Sequence, residues 1–390
     1  MAKQSAQLYR LYREHRWFQL RESILHCTSS FYLGALAAAF EQLSLAHSYL
    51  DPIMLANPAS RSAFHAHELL SWAYIRRGKF CNASCHAAAM AAHRNTSALQ
   101  QHAEVLSSLS RLPQQFVLST GRSCQISSIV VDGSLFVPAS INGNETHLMI
   151  DSGATLSMLR ASDAERMGVR LFEISPNSLN VYGATGACSD CRIGVVDRVN
   201  VGSIALGNVC VLIVDDHRWQ FPDGFTGALG LSALLAMQRF RWRKNQTCEL
   251  GFNSPDRVSH PNVCFDGAEP VVQVAFQQLS LELILDTGSA QSILTQNFAA
   301  SFTQMIDQYG QCGSMEISGI TGTAHLPKVT LPYLEFFVGN RRLVLKPAPV
   351  LTVKTTPNSS YFFGRLGFDL LQQASGFTLD FVQMRLDMEL

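Results

Sequence analysis

One pattern is written twice in this chain. Leu148-Met149-Ile150-Asp151-Ser152-Gly153-Ala154-Thr155-Leu156-Ser157-Met158-Leu159 aligns with Leu283-Ile284-Leu285-Asp286-Thr287-Gly288-Ser289-Ala290-Gln291-Ser292-Ile293-Leu294. Asp, a hydroxyl residue, Gly, a later Ser and a Leu coincide. Two further landmarks keep the register. Tyr182-Gly183-Ala184-Thr185-Gly186 and Ser318-Gly319-Ile320-Thr321-Gly322 place a glycine 32 and 33 residues after the aspartates. Gly227-Ala228-Leu229-Gly230-Leu231 and Gly364-Arg365-Leu366-Gly367-Phe368 place another 79 and 81 residues after them. A single Asp-Ser/Thr-Gly-Ala/Ser string arises in about one chain in thirty of this length at average composition. Three landmarks in matched order point to a duplicated unit.

The chemistry of the repeat follows from its residue types. An apolar strand delivers an acidic residue to the point where the strand ends. The glycine after the hydroxyl residue permits a tight turn whose amides are free to bond the carboxylate. The hydroxyls of Ser152 and Thr287 are placed to fix the junction between the two copies. If the copies pair about a pseudo-two-fold axis, Asp151 and Asp286 meet across it. Two carboxylates that close cannot both ionise, so they share a proton. One then serves as general base toward a water and the other as general acid toward a scissile carbonyl.

By these motifs residues 124–390 resemble a fused pair of retropepsin-like aspartic protease lobes, of the bacterial retropepsin type, with the pepsins more distantly similar. The resemblance implies an aspartic endopeptidase with Asp151 and Asp286 as its catalytic pair. Ser152, Gly153, Thr287 and Gly288 would support them. Leu229-Gly230 and Leu366-Gly367 match the later hydrophobic-Gly element that packs beneath the active-site loops. Tyr182, Gly183 and Gly186, with Ser318, Gly319 and Gly322, stand where the family places the flaps that close over an extended peptide. A single chain with both halves implies a complete site in a monomer, a polypeptide substrate, and no metal or organic cofactor. Activity is expected to favour acidic to mildly acidic pH. Arg365 departs from the pattern, replacing the usual apolar residue before Leu366 and putting the packing of the second loop in doubt.

The rest of the chain reads differently. The expected fold class is α+β and multidomain, divided as a helical region at 1–112 and mainly-β lobes at 113–258 and 259–390. Over residues 5–112 apolar residues recur at three- and four-residue steps. Pro52 and Pro58 are expected to bracket a loop. Phe31 to Ala35 with Ala46, and Leu70 to Phe80 with the alanine-rich Ala83 to Ala92, look like two degenerate helix–turn–helix units. They resemble tetratricopeptide repeats; an ordinary helical domain with an alanine seam is the alternative. After Pro113, short β-branched runs alternate with turn residues, and Asn142-Gly143 signals a hairpin.

The chain of 390 residues carries 30 basic and 30 acidic side chains. Residues 1–112 hold 11 basic against 6 acidic ones, leaving 19 against 24 in the remainder. Neutrality is therefore the sum of a cationic helical part and an anionic β part, and contact between them is a further hypothesis. No overall basic character draws nucleic acid, and no apolar run is long enough to span a bilayer. No secretory h-region follows Met1, which leaves two alternatives of equal standing: extracytoplasmic or periplasmic if a leader was trimmed, otherwise cytoplasmic.

Weaker signals have plainer readings. Cys188 and Cys191 have the spacing of a metal or redox pair, but no second pair completes a zinc site, so ordinary thiols or a local disulfide are expected. Cys81 and Cys85, one helical turn apart, are expected on a buried seam. His65 and His67 fall on different sides of a helix, which disfavours a shared metal. Arg239 to Lys244 alternates basic and aromatic residues, read as an exposed basic edge strand. The helical region is expected to bind a partner, recruit substrate or inhibit. A peptide-binding protein that keeps the fold without turnover is the first alternative. A glycosidase is the second, disfavoured because its acids usually sit in unrelated contexts.

Overall fold

In the computed structural model the described residues are 2–24, 29–119, 123–173, 180–182, 188–190, 192–219, 221–253, 260–320, 322–355 and 361–389. Seven helices lead among them: α1 (Ala2–Arg13), α2 (Trp17–Ser23), α3 (Ser30–Ala39), α4 (Leu43–Ala56), α5 (Arg61–Arg76), α6 (Phe80–His93) and α7 (Ser97–Leu109). Ser60 and Thr96 cap α5 and α7 by accepting from Ala63 and Leu99 amides, the usual partners of a hydroxyl N-cap. Gly34 of α3 leaves room for Leu50 of α4, since a Cβ there would lie 2.5 Å from the Leu50 side chain.

Two expectations for this region need correction. Pro52 lies inside α4 rather than beside a loop. Ala46 and Leu50, both fully buried, pin that helix to its neighbours, and this packing carries it through the hydrogen bond that proline removes. Cys81 and Cys85 are exposed. The buried seam of α6 is Phe80, Ala83, Ala87 and Met90, at the spacing of one helix face, which leaves both thiols on the other side.

Among the described residues the β region builds two large sheets, one of five strands and one of two. In the first, strand Asn144–Ile150 runs parallel to Phe225–Leu229, with Leu148, Met149 and Ile150 opposite Gly227, Ala228 and Leu229. In the second, Leu279–Leu285 runs parallel to Gly364–Leu366, with Leu283, Ile284 and Leu285 opposite Gly364, Arg365 and Leu366. The register of the repeat is thus a register of hydrogen bonds. The Asn142-Gly143 hairpin joins Ser134–Ile141 to Asn144–Ile150. Its two turn residues both take positive φ, 49° and 86°, as a two-residue hairpin of matching twist requires.

The third sheet has five strands and belongs to both halves, in the order Cys124–Ser127, Thr247–Leu250, Arg239–Arg243, Gly376–Asp380, Arg385–Met388. Arg239–Arg243 is its central strand, not an exposed edge. Phe240 and Trp242 point into the core. On the other face Arg239 pairs with Asp380, Arg241 with Glu249 and Glu389, and Arg243 with Glu389. Cross-strand acids from both halves absorb the basic run that looked like an edge.

The cationic helices and the anionic β unit do meet. His15 Nδ1 lies 2.6 Å from Asp266, Trp17 Nε1 donates to the same carboxylate at 3.0 Å, and Arg16 stands 3.7 Å from Glu282. Arg76 donates to the Gly267 carbonyl and lies over the Phe265 ring. Leu8, Leu11, Trp17, Phe18 and Leu20 join one core with residues of both lobes. Burial pulls the His15 imidazole down, but Asp266 outweighs it and raises its pKa. Burial lifts Glu282 to about 7, because Arg16 is too distant to hydrogen-bond and Glu282 Oε2 has no such partner among the described residues. Both groups are raised in the folded state, so their contribution is complete at low pH and is lost as pH rises through the folded values. Glu282→Gln is therefore expected to stabilise the chain by up to about 3 kcal/mol at pH 8 and by little at pH 5; denaturant titrations at the two pH values measure the difference.

Candidate active site

The repeated strands end on Asp151 and Asp286, and both carboxyl groups lie at the junction of the two lobes. Each turns immediately. Asp151 Oδ1 accepts from the amides of Gly153 and Ala154 at 2.9 and 3.1 Å. Asp286 Oδ1 accepts from Gly288 and Ser289 at 3.0 and 3.1 Å. Asp151 donates its own amide to the Leu229 carbonyl, and Asp286 to that of Leu366. Each aspartate is therefore fixed from both sides of its turn.

Ser152 and Thr287 lock the copies together. The Ser152 hydroxyl donates to the Leu285 carbonyl at 2.8 Å and accepts from the Thr287 amide at 3.0 Å. The Thr287 hydroxyl donates to the Ile150 carbonyl at 2.8 Å and accepts from the Ser152 amide at 2.9 Å. Four hydrogen bonds cross the axis, all of them buried. The glycines matter for a different reason. A Cβ on Gly153 would lie 2.4 Å from the Asp286 carboxyl carbon, and one on Gly288 the same distance from that of Asp151. Each turn thus leaves space for the opposite carboxylate.

Gly230 and Gly367 lie one residue past the carbonyls that receive the aspartate amides. Their amides donate to Ser157 and Ser292 hydroxyls at 3.1 and 2.8 Å. These serines are the later Ser of the repeat, so its alignment held a support role that motif reading alone had left unassigned. Ser292 also donates to Asp369 at 2.5 Å, a link with no counterpart in the first lobe, where Ser232 stands in that place.

Burial and the facing Asp286 charge raise the Asp151 pKa well above the ordinary carboxylate range. Arg365 breaks the symmetry. Its guanidinium donates through Nη1 to Asp286 Oδ2, whereas the matching residue in the first lobe is the buried Ala228. The departure noted in sequence is a cation set against one member of the pair.

A cleft of about 1400 Å³ opens above the carboxylates, beyond the roughly 300–1,000 Å³ of small-molecule pockets. Ile317, Ser318, Gly319 and Ile320 line it. They come from the hairpin Gln311–Gly319 and Gly322–Leu331, where Gly319 pairs with Gly322 and Gly322 takes φ 108°. Strands Asn180–Tyr182 and Cys188–Asp190 pair antiparallel in a separate two-stranded sheet. Gly183, Gly186 and Cys191, and the side chains of Tyr182 and Cys188, lie outside the described residues. His65 and His67 have separate partners, Glu68 and His86. The cleft also has a wall that sequence reasoning missed. His65, Glu68 and Trp72 of α5 and His102 and Val105 of α7 face into it. The cleft is therefore bounded by helices as well as by two β lobes.

The comparisons with known proteins now bear on these residues. Residues 137–233 match the aspartyl protease family model. The matched stretch begins within strand Ser134–Ile141, passes through Asp151 and ends just beyond Leu229-Gly230 in the first lobe, and it supports the aspartic protease family. A retropepsin-like aspartic protease from Rickettsia conorii is similar at 20% identity, over 35% of this chain and 92% of that one, with a TM-score of 0.23. An aspartic proteinase from Irpex lacteus is similar at 12% identity, over 68% of this chain and 96% of that one, with a TM-score of 0.40. No curated protein matches the chain.

Thr287→Val keeps the shape of the junction but removes two of its four hydrogen bonds, leaving the Ser152 amide and Ile150 carbonyl buried without them. A loss of about 1–3 kcal/mol is expected. Gly288→Ala is expected to cost about as much by overpacking. Gly313→Ala, where the added carbon meets nothing within 4 Å, should stay within about 0.5 kcal/mol of the parent. Chemical denaturation of the three variants provides the test.

Proposed function

We propose that the chain is an aspartic endopeptidase that hydrolyses peptide bonds of an extended polypeptide. The observation that carries this reading is the pair of buried carboxyl groups, one from each copy of the repeat, on matching turns beneath a cleft. The ionised carboxylate takes a proton from water as the water oxygen bonds to the scissile carbonyl carbon. The protonated carboxyl gives its proton to the carbonyl oxygen, forming a gem-diol. The first group then passes its proton to the amide nitrogen as the C–N bond breaks, and the second recovers a proton from a diol hydroxyl. Water is consumed, an acid and an amine are released, and the pair returns to one shared proton.

On this reading Asp151 and Asp286 are catalytic. Ser152, Gly153, Thr287 and Gly288 hold their geometry, and Leu229-Gly230 and Leu366-Gly367 support the turns. Ser318, Gly319 and Gly322 cover the substrate, and the resemblance assigns Tyr182, Gly183 and Gly186 the same role in the first lobe. The helical region at 1–112, whose α3–α4 and α5–α6 pairs fit a tetratricopeptide-like arrangement, is assigned a substrate-positioning role because α5 and α7 face the cleft. The lobes at 113–258 and 259–390 act as one unit, joined by the shared sheet. A peptide-binding protein without turnover is the second reading, favoured by one observation: Arg365 occupies an oxygen of Asp286.

The raised Asp151 pKa sets the pH range. The protonated form persists to neutral pH, so activity is expected from mildly acid through neutral conditions, with the fall on the alkaline side. Cleavage of a mixed peptide library between about pH 3 and pH 9, read by mass spectrometry, tests the reading. Asp151→Asn and Asp286→Asn are each expected to lower cleavage at least a thousandfold, within the range general acid–base groups supply. A wild-type chain that binds peptides yet cuts none at any pH would decide for the second reading.

A further inference from the structure

Duplication makes the two carboxylates equivalent by sequence, yet Arg365 sets a charge beside only one of them. Arg365 pairs with Ile284 on one side and Ile293 on the other, and lines the cleft with them. Within Gly364–Leu366 its neighbours are buried while it is half-buried, so alternation turns its side chain to the cleft face. There it meets Asp286 Oδ2, the oxygen left over after Gly288 and Ser289 bond Oδ1. Among the described residues no cation is ion-paired with Asp151. The charged groups facing Arg365 are Asp286, Glu269 and Asp151; Asp132, Arg218, Glu68 and His102 also line the cleft.

We propose that Arg365 is a positioning residue that keeps Asp286 as the ionised member of the pair and leaves the shared proton on Asp151. Asp286 is then the base toward water, and Asp151 the acid toward the carbonyl. The proposal rests on the endopeptidase reading for what these roles accomplish, but the location of the proton is a property of the free chain. A guanidinium beside one carboxylate favours its charged form. It leaves further lone pairs on the carboxylate for a water. With one proton on the pair, the guanidinium and the single negative charge compensate each other. Removing the guanidinium restores the symmetry of the repeat and makes the first ionisation harder.

The test is a carboxyl ¹³C NMR titration of the full chain labelled at the aspartate γ-carbon, for wild type, Arg365→Leu, Arg365→Lys and Asp286→Asn. The lower step of the pair is expected to rise by about one to three pH units in Arg365→Leu and to return most of the way in Arg365→Lys. Asp286→Asn is expected to abolish that lower step and leave Asp151 titrating alone, a reading that stands even if Arg365→Leu does not fold. A lower step unmoved in Arg365→Leu, or one that survives in Asp286→Asn, would overturn the assignment. Because the titration needs no substrate, a chain that fails to cut peptides refutes the endopeptidase reading without touching this result. In an active chain, the acid limb of kcat/KM moves upward with the same step in Arg365→Leu; a uniform drop at every pH would mark a merely structural role.

Discussion

Four hydrogen bonds between two turns organise the centre of this molecule. Ser152 and Thr287 each give a proton to a carbonyl of the opposite copy and each accept from the other's amide. Neither hydroxyl is satisfied by its own lobe, so the exchange exists only when the copies are in register. Buried polar groups without partners cost about 1–3 kcal/mol each, which makes the register strongly specified. The facing carboxylates, the glycines that make room for them and the cleft above all depend on that fixed junction.

Within the junction, symmetry and asymmetry have separate sources. Backbone geometry is duplicated: the same amides hold each Oδ1, the same strand carbonyl receives each aspartate amide, and the same serine supports each later glycine. Electrostatics is not duplicated. Burial and like charge forbid double ionisation, and Arg365 is a cation on one side of an otherwise matched pair. The third sheet, made from strands of both halves, holds the lobes at one spacing. Its arginines are balanced by acids from each half.

Much of the site was legible because short-range chemistry is written in contiguous residues. The aspartates, the hydroxyl residues and the glycines could be read from spacing, and the hairpin at Asn142-Gly143 from its turn residues. What depended on tertiary context could not. Arg239 to Lys244 carried the pattern of an edge strand, and only the partners Asp380, Glu249 and Glu389 make it central. Cys81 and Cys85 shared a helix face with each other, but the face that packs begins at Phe80 and Ala83. Pro52 marks a break by local rules, and packing at Ala46 and Leu50 overrides it. The helical wall of the cleft left no signal, since Trp72 and His102 are brought to the cleft by contacts far apart in the chain. Arg365 was visible as an exception, but its partner was not.

The central claim is that the two repeated carboxyl groups act together on one peptide bond. A peptide whose scissile amide is replaced by a hydroxymethylene group, mimicking the tetrahedral species, tests this by calorimetric titration against the intact chain and its two Asp→Asn variants. Tight binding to wild type is expected, weakened at least a hundredfold, the low end of transition-state discrimination, by either substitution. Equal affinity for all three chains, or dependence on one aspartate alone, would contradict the account.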